Sequence, residues 1–327
     1  MIKNKLLQYI LVGCIIFQIV HTVEFSIFTQ NILGPNTMDA GDFFPQRNYS
    51  RLNEIVERGI ATNATFLCFQ EWDGQVLNKL QGTTKHALSS KYELVAIQPK
   101  GANGGVVVYV QKNPLIKVLS KNKLELPGSN NTQSKGACAY GVFDIQDQKV
   151  VIASLHVSRA NDVVRGQLDG DVQLNTLMEE LRKQKCPVVL AGDLNTFYKE
   201  VSTHTKNKIG LQMYEHESWT VNDKIGDFAS IDHVLYSSQL QLDVANSWVG
   251  KIGNPYNSAD VANATTKKSA KGLTPIHQSN YNSDHLPIFV SFKYGSSGAT
   301  KPSGATKPSS GPVTPLGGSQ SGASSAQ

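Results

Sequence analysis

The chain has 327 residues, 40% hydrophobic and 17% charged, which supplies a buried core and carries too little charge for a disordered protein. Its formal charge is +5, but Lys3, Lys5, Lys301 and Lys307 lie in terminal segments, leaving 27 basic against 26 acidic residues between them. A globally basic body that binds any nucleic acid through counterion release is thereby excluded, as is a multi-span membrane protein, since no second long apolar run follows the first.

In chain order, Met1 to Lys5 carries two lysines, and Leu6 to Val20 is an apolar run interrupted by Gln8, Gly13 and Gln18. This is the layout of a secretory signal peptide over 1–22, cleaved near Thr22 and leaving no stable membrane insertion. Secretion is independently suggested by four N-glycosylation sequons, at Asn48, Asn63, Asn130 and Asn263, so a glycoprotein is expected. With Cys14 in the leader, Cys68, Cys138 and Cys186 remain, and an odd number allows at most one internal disulfide.

Residues 23–295 contain no Pro/Gly-rich linker and read as one domain. Runs of β-branched and aromatic residues predict strands at Glu24 to Asn31, Thr65 to Glu71, Tyr92 to Gln98, Gly105 to Gln111 and Ala137 to Ile145. Four more follow at Val150 to His156, Pro187 to Gly192, Ile231 to Tyr236 and Leu286 to Phe292. Helical spacing is present at Leu52, Ile55, Val56 and Gly59, and again at Leu174, Leu177, Met178 and Leu181. Val106 to Val110 and Val188 to Ala191 are apolar on both faces, which suits strands covered on both sides. Two packed sheets with outer helices are the expected α+β architecture. From Ser296 to Gln327, Ser, Gly and Pro make up 19 of 32 residues, and Ser297-Gly-Ala-Thr-Lys-Pro302 repeats at once as Ser303 to Pro308. Such a tail cannot bury enough surface to offset its ordering entropy and is expected to be disordered.

Polar residues cluster where the strands end. Asn31 closes the first, Glu71 the second and His156 the sixth; Asp193 and Asn195 follow Val188-Val-Leu-Ala-Gly192; Asp232 opens a later strand; Asp284 and His285 precede another. The set is rich in oxygen ligands and has no thiolate, which suits a hard divalent cation such as Mg²⁺, with Mn²⁺ as a substitute, better than zinc. A cation beside His and Asp supports phosphoester hydrolysis, since it offsets phosphate charge while a carboxylate activates water and an imidazolium stabilises the leaving side. Gln70 and His233 read as structural, and His86, His204, His216 and His277 as surface residues.

Thr29-Gln-Asn31-Ile, Phe69-Gln-Glu71, Leu155-His156, Ala191-Gly-Asp193-Leu-Asn195, Ile231-Asp232-His and Ser283-Asp284-His285-Leu-Pro287, in this order, resemble the endonuclease/exonuclease/phosphatase superfamily. The wording is nearest to the branch of nocturnin and the deadenylases, and the resemblance spans Glu24 to Phe292. It implies the deoxyribonuclease I-like fold, a four-layer αββα sandwich of two mostly antiparallel sheets. It implies Glu71 as the main metal ligand with Asn31 and Asp284 close by, and Asp193 as the group that positions or activates water. Asn195, Asn31 and His156 would bind the phosphate, and His285, paired with Asp232, would act at the scissile bond.

A secreted, monomeric Mg²⁺-dependent nuclease acting on DNA or RNA is the leading expectation. With a near-neutral body, phosphate binding would rest on the cation and on local lysines such as Lys100, Lys112, Lys224, Lys267, Lys268 and Lys271. The alternatives are a sphingomyelinase-like phosphodiesterase, which would want the segment around Trp248, Val249, Ile252 and Tyr256 exposed to lipid, and an inactive binding protein of the same fold.

Overall fold

The computed structural model describes residues 22–32, 50–72, 75–99, 105–127, 135–157, 169–195, 209–215, 221–222, 228–229, 231–250, 283 and 285–295. The leader, the tail, three of the four sequon asparagines, Asp284 and most of the local lysines lie outside these residues.

All nine expected strands form, Tyr92–Gln98 and Gly105–Gln111 with the expected bounds and the others with ends shifted by at most two residues. They are β1 (Val23–Asn31), β2 (Phe66–Trp72), β3 (Tyr92–Gln98), β4 (Gly105–Gln111), β6 (Gly136–Ile145), β7 (Gln148–His156), β8 (Val188–Asp193), β12 (Asp232–Tyr236) and β14 (Ile288–Tyr294). Sequence reasoning missed β5 (Ile116–Leu126), β13 (Gln241–Val249) and the two-residue pieces β9 (Gln212–Met213), β10 (Val221–Asn222) and β11 (Phe228–Ala229). β5 alternates half-buried with exposed positions and places Lys117, Lys121 and Lys123 outward. It is a sheet edge, and lysines on an edge discourage pairing with another chain while hiding the apolar signal of a strand.

One six-stranded sheet has the order β13-β14-β1-β2-β4-β3 and the other β5-β6-β7-β8-β12-β9. Each is antiparallel except for one central parallel pair, β1 with β2 and β7 with β8. A parallel pair needs a crossover, and each receives a helix: α1 (Ser50–Ala61) joins β1 to β2, and the longest helix lies between β7 and β8. Two helices without an apolar stripe, α2 (Val76–Lys79) and α3 (Gly82–Lys91), follow β2, and the helix between β7 and β8 is α4 (Asp169–Arg182).

Three apolar clusters stack in the order these layers require. Leu52, Ile55, Val56 and Leu88 pack with Phe28, Leu67 and Phe69 on the outer face of the first sheet. Phe25, Ile27, Phe66, Val108, Phe143 and Val234 fill the space between the sheets. Leu174, Leu177, Met178 and Leu181 cover Leu155, Leu190 and Leu235 on the outer face of the second. The result is the αββα sandwich, whose central strands such as β4 and β8 are buried on both faces and therefore read as continuous apolar runs. Cys68, Cys138 and Cys186 are all free thiols. Cys68 belongs to the inter-sheet layer and Cys138 to the outer layer of the second sheet, so their side chains leave on different faces.

Candidate active site

β1, β2, β7 and β8 all end at the same rim: Asn31, His156 and Asp193 close β1, β7 and β8, and Glu71 stands one residue before the end of β2. Asn31 is fully buried, and its Nδ2 donates to Glu71 Oε1 at 3.1 Å and to Asp193 Oδ2 at 3.0 Å, tying the two sheets together at the rim. His156 Nε2 lies 3.6 Å from Asp193 Oδ2, an ion-pair separation rather than a hydrogen bond. From the second sheet's neighbouring strand, Asp232 sits opposite Asp193 in register and takes a 2.8 Å hydrogen bond with His285 Nδ1 through its Oδ2.

Two of these residues have unusual backbones. Glu71 lies at φ 59° and is skipped by the register with β4, in which Gln70 is opposite Val106 and Trp72 opposite Gly105. It is the extra residue of a β-bulge, the device by which a strand re-aims one side chain. Asn195 lies at φ 48°, its amide N–H donates to Asp193 Oδ1 at 2.7 Å, and its Nδ2 donates to Val157 O at 2.8 Å. Left-handed backbone at two non-glycine site residues is held by surrounding contacts, as strain at a functional site usually is.

Asp193 is nearly inaccessible, and its carboxyl is pushed up to about 7. Burial is the main cause and the charge of Asp232 adds to it, while His285, the Asn195 N–H and the Asn31 amide pull the other way. Asp193, Asp232 and His285 also place one ligand atom each within 4.8 Å of one another. Of the possible ligands, His285 Nδ1 is engaged by Asp232 Oδ2 at 2.8 Å, which makes that imidazole nitrogen a poor ligand. The bulged Glu71 carboxylate and the Asn31 amide supply hard oxygen donors at the same rim, so the donor chemistry fits a divalent cation of the Mg²⁺ type.

Six of the eight expected site residues (Asn31, Glu71, His156, Asp193, Asp232 and His285) therefore form one continuous cluster, and Asn195 braces it. Asp284 lies outside the described residues. His86 is exposed on α3, away from the cluster, as expected. Sequence reasoning missed the groups that hold the histidine. Ser283 Oγ donates to Asn31 O at 2.8 Å and accepts the His285 N–H at 3.2 Å, and Gln30 Nε2 donates to His285 O at 3.0 Å. The only local signal was a serine two residues before a histidine, a common side-chain-to-backbone turn.

The chain belongs to the endonuclease/exonuclease/phosphatase family, whose family model matches residues 28–251. Its members are phosphoric ester hydrolases, generally metal-dependent. No curated protein sequence matches the chain. Among solved structures, the human nocturnin catalytic domain with a bound sulfate anion is 16% identical, with a TM-score of 0.56 over 84% of this chain and 97% of that one. ANGEL2, a 2′,3′-cyclic phosphatase in complex with adenosine-2′,3′-vanadate, is 16% identical, with a TM-score of 0.60 over 84% and 96%. A family protein from Bacteroides thetaiotaomicron is 14% identical, with a TM-score of 0.57 over 84% and 99%. Similarity at these identities establishes the shared fold.

Proposed function

We propose that the protein is a secreted Mg²⁺-dependent phosphodiesterase that hydrolyses nucleic acid. The observation that carries this reading is the meeting of Asn31, Glu71 and, just before β14, His285 on the side of the first sheet with His156, Asp193 and Asp232 of the second, through three hydrogen bonds and the 3.6 Å approach of His156 to Asp193. Secretion is supported by the leader-like 1–22 and by the sequons, of which Asn63 is exposed.

Glu71 and Asn31 would hold the cation, and when bound it would offset negative charge on the phosphate and on the transition state. Asp193, with its proton affinity raised toward neutral pH, is matched to accept the proton of an attacking water. Asp232 fixes the His285 tautomer by taking Nδ1–H, which leaves Nε2 as the nitrogen facing substrate and stabilises the imidazolium that stabilises or protonates the leaving oxygen. His156 stands on the far side of Asp193 and would hold a phosphate oxygen. One N–H of the Asn195 amide is committed to Val157, and its second remains a donor suited to phosphate.

The lipid alternative gains little. Trp248, half-buried, stacks on Phe289 at 5.4 Å and 13°, and Val249 packs against the inter-sheet core, so neither is spare for membrane contact. The deciding experiment is a turnover panel on mature protein with single-stranded RNA, duplex DNA and sphingomyelin, each with Mg²⁺, with chelator and with Glu71→Gln. Nucleic-acid cleavage lost with chelator and in the variant is expected. Sphingomyelin turnover with intact nucleic acid would replace this reading with the lipid enzyme, and silence on all three would remove it.

A further inference from the structure

The four strands that supply the rim share a second feature one layer below it. Toward the opposite sheet, β1 presents Phe25, Ile27 and then Thr29; β2 presents Phe66, Cys68 and then Gln70; β7 presents Val150, Ile152 and then Ser154. A single polar layer therefore separates the apolar core from the site. Gln70 is its centre: fully buried, it donates through Nε2 to Thr29 Oγ1 at 3.1 Å in its own sheet and to Ser154 Oγ at 3.0 Å in the other. Ser154 Oγ donates onward to Phe69 O at 3.2 Å, back across the gap. The fourth strand makes room for the amide. Gly192 has φ +146°, and a Cβ there would lie 2.9 Å from Gln70 Nε2 and 2.1 Å from Leu155 O.

We propose that Gln70 is a positioning residue, a clamp between the two sheets that sets the separation of Asn31 and Glu71 from His156 and Asp193. Apolar contacts between sheets are non-directional and tolerate small slides, whereas a buried hydrogen-bond network is directional and costly to leave unmade. Thr29 is two residues before Asn31, Ser154 two before His156, Gln70 one before Glu71 and Gly192 one before Asp193, so a shift at this layer moves these four rim residues together. The proposal rests on reading the rim as the reaction centre, and it goes beyond that reading by giving a buried, non-reacting residue a kinetic role.

A plain packing role makes a different prediction. Replacing both partners of a buried hydrogen bond by apolar groups of similar shape is close to neutral for stability, and Ser154 Oγ keeps its bond to Phe69 O, so Gln70→Leu/Thr29→Val is the decisive variant. With a clamp, it unfolds near the wild-type temperature, yet kcat falls about 10- to 100-fold with KM little changed, and Mn²⁺ affinity falls by a similar factor. Its crystal structure shows the 3.0 Å Asn31–Asp193 bond lost. Thr29→Ser, which keeps the hydroxyl, retains wild-type values. A stable double variant with wild-type kcat, Mn²⁺ affinity and Asn31–Asp193 bond overturns the proposal. Should the double variant not fold, Ser154→Ala, which removes both hydrogen bonds that cross the gap, is read by the same three measurements. Should wild-type protein cleave no phosphodiester, the functional reading falls, and the Mn²⁺ titration and the crystal distance still decide the clamp.

Discussion

Asp193 illustrates how a single residue can trade stability for function. Its folded pKa, about 7, stands above the ordinary 3.8, so the folded state binds this proton more tightly than the unfolded chain. Stability is therefore lost as pH rises through that interval and stays low above it. Asp193→Asn removes the loss and keeps a polar side chain. Relative to wild type, the unfolding free energy of the metal-free variant is expected to be more favourable by about 1–3 kcal/mol at pH 8 than at pH 5, while turnover is abolished. Urea unfolding at both pH values with chelator present checks this, and an equal change at the two values would contradict it. At this scale much was legible. Asn31, Glu71, His156, Asp193, Asp232 and His285 were recognisable as polar interruptions of apolar strands. Ser283 and Gln30 were not, because a buried serine or glutamine is identified only by the partner it reaches, 252 and 255 residues away in the chain.

Among elements, periodicity decided what could be foreseen. α4 shows its stripe in sequence, and the structure seals Leu174, Leu177, Met178 and Leu181 against the outer face of the second sheet. Leu177, fully buried in that outer layer, is expected to cost about 2–5 kcal/mol on substitution by Ala while leaving kcat unchanged well below the unfolding temperature. Thermal unfolding beside steady-state kinetics tests both halves, and a kcat loss without a stability loss would argue that the outer layer tunes the site. α3 carried no such stripe: only Thr84 and Leu88 are buried, and its helical state is set by its seat beside α1 rather than by its pattern. β13 escaped notice for a related reason. Its pairing with β14 breaks between Asp243 and Trp248, so no regular alternation runs along it.

For the molecule as a whole, the charge balance between the terminal segments restricts how substrate is held. A body of 27 basic against 26 acidic residues offers no broad positive field. Nucleic-acid binding through a few rim groups should then weaken only gently with salt, with a log–log slope of magnitude below about 3. A slope of about 6 or more in a KM series across salt concentrations would require an extended basic interface and overturn this expectation.

The nine apolar strands, the apolar-to-polar change along β1, β2, β7 and β8, and the oxygen-rich chemistry of the rim are local properties, and the sequence alone determined them through side-chain type and period. The pairing of Asp232 with His285, the bulge that aims Glu71, the passage of Gln70 across to Ser154 and the free state of the cysteines belong to the tertiary structure. Each depends on which faces of two sheets meet and at what register, and residues such as Asn31 and Asp193, 162 positions apart, come within 3.0 Å only once both sheets have closed on their common core.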